Sequence, residues 1–124
     1  MDIGQLSSAV TSGTPVRTVL NPAETCPLSL GVFGHIAYRV LLRSNTVISV
    51  SGGVVGQVQT MLIMIQQAPA GGAEVTWPTN ITWTDQNGQV TDKAPFVDSQ
   101  AGALTFATLM TLDGGKRYYG RAGF

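Results

Sequence analysis

His35 is the only histidine of the chain and Cys26 the only cysteine, nine residues apart. A metal site needs a cluster of such ligands, and one of each does not make one. Cys26, just before Pro27, reads as a buried or interface thiol with no partner for an internal disulfide. Nucleophilic catalysis around His35 would need a nucleophile and an orienting group beside it. No G-x-S-x-G elbow occurs, so His35 is assigned a hydrogen-bonded structural or interface role at a strand start. Asp85, Asn87 and Asp92 surround Gly88 with oxygen ligands, but the ordered D-x-D/N-x-D/N-G pattern of a calcium loop and its downstream Glu are missing. They read as a polar hairpin. Glu74 lies near Trp77 and Trp83, the one place where a carboxylate and sugar-stacking rings come close in sequence. Glycoside hydrolysis needs two carboxylates, and the tryptophans read more simply as caps on the core. Asn80-Ile81-Thr82 fits the N-glycosylation pattern, with no other sign of a secretory route. No P-loop, GxGxxG or CxxC is present. The expectation is a protein with no catalytic residue, no metal and no cofactor, and not an enzyme.

Seven basic and seven acidic residues cancel, and charged residues make up only 11% of 124. The one basic run is Lys116-Arg117, so nucleic acid is not expected as a partner. The most apolar stretch, Met61 to Ile65, is too short to span a bilayer as a helix, and the N-terminus has no basic and apolar leader. A soluble protein made in a cytoplasm is expected. So little charge implies that part of the surface is hidden against a partner.

The elements that would position these residues are strands. Val16 to Leu20, His35 to Leu42, Asn45 to Val50, Gly56 to Gln66, Glu74 to Trp77, Ile81 to Thr84, Ala103 to Leu112 and Lys116 to Arg121 give about eight. In Gly56 to Gln66, Val58, Thr60, Leu62 and Met64 alternate with Gln59, Met61, Ile63 and Ile65. Both parities are apolar in the middle, as in a strand buried on two sides. Asn87-Gly88 predicts a two-residue type I′ hairpin, and Asp113-Gly114-Gly115 a tight turn with left-handed positions. No helical period extends over twelve residues. The fold class expected is all-β: a β-sandwich or jelly roll over residues 36–124, preceded by an extended N-terminal arm over residues 1–35. The arm is rich in Pro and Gly but carries Ile3, Leu6, Val10, Val16, Leu20, Leu28 and Leu30. Apolar residues in a tail need cover, so these are candidate contacts to neighbouring subunits.

From Asn45 onward the chain runs through N-T-V-I-S-V, G-Q-V-Q-T-M-L-I-M-I-Q-Q and Val75-Thr76-Trp77-Pro78-Thr79-Asn80-Ile81-Thr82-Trp83, then ends on Asp113-Gly114-Gly115-Lys116-Arg117-Tyr118-Tyr119-Gly120. This resembles a C-terminal β-sandwich module of tailed-bacteriophage structural proteins, among them tail-fibre tips and small capsid-associated proteins. The resemblance covers about residues 45 to 120. It implies a virion structural protein made in the host bacterial cytoplasm, a homotrimer that contacts the major capsid protein or another virion protein. Trp77, Trp83, Asp113, Gly114, Gly115, Tyr118 and Tyr119 would be its scaffold aromatics and turn. In fibres the module ends a much longer chain, whereas here it follows a short arm. That favours a capsid decoration (cement) protein over the alternative, a receptor- or glycan-binding tip of the tail or baseplate, in which Tyr118, Tyr119 or Trp77 would meet sugar.

Overall fold

The computed structural model describes residues 16–20 and 24–123. These residues form ten strands and no helix: β1 (Val16–Leu20), β2 (Thr25–Ser29), β3 (His35–Leu41), β4 (Thr46–Ser51), β5 (Val55–Gln66), β6 (Val75–Thr76), β7 (Ile81–Thr84), β8 (Val90–Thr91), β9 (Leu104–Asp113) and β10 (Tyr118–Ala122). The all-β class holds. The two strands beyond the eight expected are β2 and β8. Pro27 hid β2: proline cannot donate to a ladder. It is tolerated because β2 is an edge strand, paired on one side only, to β4.

One sheet has the order β1-β3-β5-β9-β10-β7-β8 and the other β2-β4-β6. From β1 to β7 the chain alternates between them, so each strand returns to its sheet by way of a strand of the other. That is why β1, β3 and β5 are parallel neighbours, and β2, β4 and β6 likewise. Parallel strands need a crossover rather than a hairpin, and here a strand of the opposite sheet is the crossover. Beyond β5 the pairing is antiparallel to β9 and on to β10, then parallel to β7 and antiparallel to β8. These parallel pairs depart from the antiparallel ladders of a jelly roll.

Period-2 alternation decides which side chains meet inside. Ile36, Tyr38 and Val40 of β3, Met61, Ile63 and Ile65 of β5, and Leu109 of β9 share one hydrophobic cluster with Cys26 and Leu28 of β2 and Ile48 and Val50 of β4. Each such side chain fully buried stabilises the fold by roughly 1.5–3 kcal/mol. Burial also raises the Cys26 thiol pKa. The arm is corrected here. Residues 24–35 are part of the folded unit, and Leu28 and Leu30, expected against neighbouring subunits, are buried in the chain's own core. Val16 is exposed on β1. Ile3, Leu6, Val10 and the Leu20 side chain lie outside the described residues.

Two buried glutamines tie loops to this core. Gln67 accepts from Ala68 N and Ala73 N and donates to Ala73 O and Asp98 O, all within 3.1 Å. Gln59 accepts from Val54 N and donates to Phe33 O at 2.8 Å.

The β7–β8 hairpin differs from the two-residue turn expected. Gly88 N donates to Asp85 O at 3.1 Å and Asp85 N to Gln89 O at 2.9 Å, which closes a loop of three residues with Gly88 at φ 78°. Asp85 Oδ1 accepts from the amides of Asn87 and Gln89, and this extra local bonding favours the longer loop. The Asp113-Gly114-Gly115 turn has the left-handed glycines expected, at φ 73° and 87°.

Candidate functional site

The aromatics proposed for sugar binding are mostly spent on the fold. Trp83 is buried. Trp77 packs edge-on against it, with ring centroids 5.3 Å apart at 76°, and donates Nε1–H to Pro95 O at 3.1 Å. Tyr118 is buried, and its hydroxyl donates to Gly52 O at 2.6 Å. Burial, with Asp113 nearby, raises its phenol pKa. Asp113 Oδ1 accepts from Arg117 N at 3.1 Å and from the Thr111 hydroxyl at 3.1 Å. The Arg117 amide above all lowers the Asp113 carboxyl below the usual carboxylate range. These residues lock the β9–β10 turn against the β4–β5 loop. Among the described residues, no three of His, Cys, Asp or Glu gather to hold a metal ion.

What remains is the outer face of the seven-stranded sheet. Alternation directs Val58, Thr60, Leu62, Met64 and Gln66 of β5 away from the core, and Leu104, Phe106, Thr108, Met110 and Leu112 of β9 with them. The ladder sets these in rows. Thr60 stands opposite Met110, Leu62 opposite Thr108, and Met64 opposite Phe106. Met110 continues to Tyr119 of β10 and Thr82 of β7, and Thr108 to Arg121 and Thr84. Neither β5 nor β9 carries a charge at any of these outward positions. Arg121 of β10 stands beside Thr108 within this face, and His35 and Arg39 of β3 stand beside Thr60 and Met64.

The four threonines of this face on β5, β7 and β9 turn their hydroxyls to partners in the chain. Thr60 is bonded to His35 Nδ1, Thr82 to Arg117 Nη1, Thr84 to Gly120 O and Thr108 to Gly123 O. A shallow groove of about 610 Å³ lies here, lined mainly by Thr108, Met110, Leu112 and Tyr119, with Arg121 as its one charged residue. Outward faces of sheets in water ordinarily carry polar side chains. Here Val58, Leu104, Met110, Leu112 and Tyr119 are 54%, 51%, 36%, 54% and 43% exposed. Contiguous apolar surface of this kind marks an interaction site.

Of the residues proposed from the sequence, Tyr119 joins this surface. Trp77, Trp83 and Tyr118 do not. The alternation of β5 shows Leu62 and Met64 as an apolar parity and predicts cover on both sides, whereas the structure turns them away from the core. Compared with protein-family models, curated proteins and solved structures, the chain matches none.

Proposed function

We propose that this chain is a non-catalytic assembly protein, and that the outer face of its large sheet is the protein–protein contact by which it works. One observation carries the proposal: an uncharged, apolar strip on β5 and β9 that faces away from the core. Burying it would be favourable at roughly 25 cal/mol per Å², less the cost of ordering both partners. In this reading the two sheets form the layers of a β-sandwich, with the cluster between them as its core. The setting comes from the resemblance of residues 45 to 120: a bacteriophage virion, with the chain as a capsid decoration protein on the major capsid protein or another virion protein. Many copies on one shell would add avidity.

The test uses heads that lack the chain. Wild-type protein is expected to co-sediment with them in hundreds of copies, and a Met110→Asp protein to stay in the supernatant. No binding by the wild type sinks the capsid reading. Equal binding by the variant sinks the face as the contact.

A further inference from the structure

We infer that the partner surface covering this face is acidic, an apolar patch set among Asp or Glu carboxylates. The inference rests on the reading of the face as a protein contact and gives the chemistry of that partner.

The register lays the face out in rows across the sheet. In one, His35 stands beside Thr60, and Met110, Tyr119 and Thr82 follow. In the next, Leu62 and Thr108 lead to Arg121 and Thr84. In another, Arg39 stands beside Met64, which faces Phe106. Every one of these rows has an arginine. Arg39 and Arg121 belong to theirs, and the exposed Arg117 reaches the first from the β9–β10 turn, with Nη1 donating to the Thr82 hydroxyl at 3.4 Å. Acids are missing from the same rows. In the seven strands of this sheet only Asp113 is acidic, and its carboxylate accepts from the Thr111 hydroxyl and Arg117 N within the turn. Asp85, in the hairpin that follows Thr84, gives Oδ1 to the amides of Asn87 and Gln89, and it shares a hollow there with Lys93 and Arg121. The seven bases and seven acids of the chain cancel in number, but not on this side of the sheet.

The spacing says what must match it. With strands about 4.8 Å apart, Arg39 and Arg121 stand roughly 15 Å from each other, with Leu62, Met64 and Phe106 among the residues between them. That exceeds the screening length of about 10 Å at 0.1 M salt, so each guanidinium needs its own counter-charge. A neutral or basic partner would take water from these groups and return nothing. Nucleic acid would meet the arginines and leave the apolar rows uncovered. Carboxylates pair with guanidinium through two hydrogen bonds at once, and a protein surface can carry them around apolar side chains. Such a surface answers both features of the face.

Heads that lack the chain test this by salt, by charge and by coupling chemistry. Raising NaCl from 0.1 to 1 M shortens the screening length from about 10 to about 3 Å, and co-sedimentation of the wild type should weaken at least about tenfold. Arg39→Glu and Arg117→Glu should each weaken it at least about tenfold at 0.1 M with unchanged melting, and Arg39→Lys should fall between wild type and Arg39→Glu. A zero-length carbodiimide joins a carboxylate to an amine and takes up the water that is lost. With Arg39→Lys protein on heads, it should couple the introduced amine to an Asp or Glu of a head protein, located by mass spectrometry. Binding that holds at 1 M NaCl, or that both glutamate variants leave intact, overturns the inference. If those variants bind as the wild type does while Met110→Asp is released, the acidic partner is wrong and the contact reading stands. If the wild type binds no heads, both fall. Flotation with phosphatidylserine vesicles in place of head binding would put a lipid surface where the protein partner stands, and this too overturns the inference.

Discussion

Replacing Tyr118 with Phe removes one atom and tests the lock between two turns. The hydroxyl donates to Gly52 O at 2.6 Å and joins the β4–β5 loop to the start of β10. It sits where packing is closest, since a Cβ on Gly115 would come 2.6 Å from it and closer still to Gly52 O. A net hydrogen bond contributes about 0.5–1.5 kcal/mol, toward the upper end where the abandoned carbonyl stays dry. At this chain length that lowers Tm by about 2–7 °C near neutral pH. A second signature follows from the phenol. Burial raises its pKa in the folded state, so its contribution to stability is present below the unfolded value and lost as pH rises through the folded one. Tyr118→Phe has nothing to lose there. The stability difference between wild type and variant should therefore narrow above about pH 10, the ordinary tyrosine value. Chemical denaturation at pH 7, 9 and 11 measures both effects. Equal stability at pH 7, or a gap that stays constant to pH 11, would refute the assignment.

Three further substitutions probe other parts of the frame. Asp113→Asn keeps the shape and removes the charge that Arg117 N stabilises. Because the Asp113 pKa is lowered, the wild type's advantage exists above about pH 4 and is lost as pH falls through the lower folded value. Thermal melts from pH 6 to 2 should show the two proteins converging, and a gap that grows on acidification contradicts this. Gly120→Ala places a Cβ 2.6 Å from Leu109 Cδ2 and 2.8 Å from Trp83 Cζ3, so overpacking should cost about 1–3 kcal/mol with a shift in tryptophan emission. A variant as stable as wild type would show that Trp83 does not press on this strand. Gln67→Leu strips partners from the Ala68 and Ala73 amides and two carbonyls, so a loss above about 2 kcal/mol is expected, with faster exchange at those amides. Unchanged exchange there would mean that the loop is held by other means.

Much of the frame was legible. Val16 to Leu20 and Ile81 to Thr84 form strands with the bounds expected, whereas β5 buries only the parity of Gln59, Met61, Ile63 and Ile65 where both were expected to be covered. Those signals are local, since alternation and turn residues need no partner to be read. Pairing partners were not legible. Nothing in the composition of β1, β3 and β5 says that each returns through the other sheet, and the parallel ladders follow from that path alone. β2 stayed hidden because Pro27 counts against a strand everywhere except at an edge.

The candidate site turns on a similar ambiguity. In residues 58 to 65 and again in 104 to 112, the parity opposite the core is apolar too. Two arrangements satisfy such a pattern. Either a layer of the same chain covers the second side, or the second side is left for another molecule. The sequence does not distinguish them, because both ask for the same side chains. The described strands form two sheets, and the ten outward positions of β5 and β9 belong to the side that neither sheet covers. Satisfied threonine hydroxyls make that side more apolar than its composition suggests. Thr60, Thr82, Thr84 and Thr108 count as polar in a sequence, yet their oxygens already have partners in the chain. These bonds lower, without removing, the cost of taking the threonines out of water. That is the physical reason to propose this face as the contact.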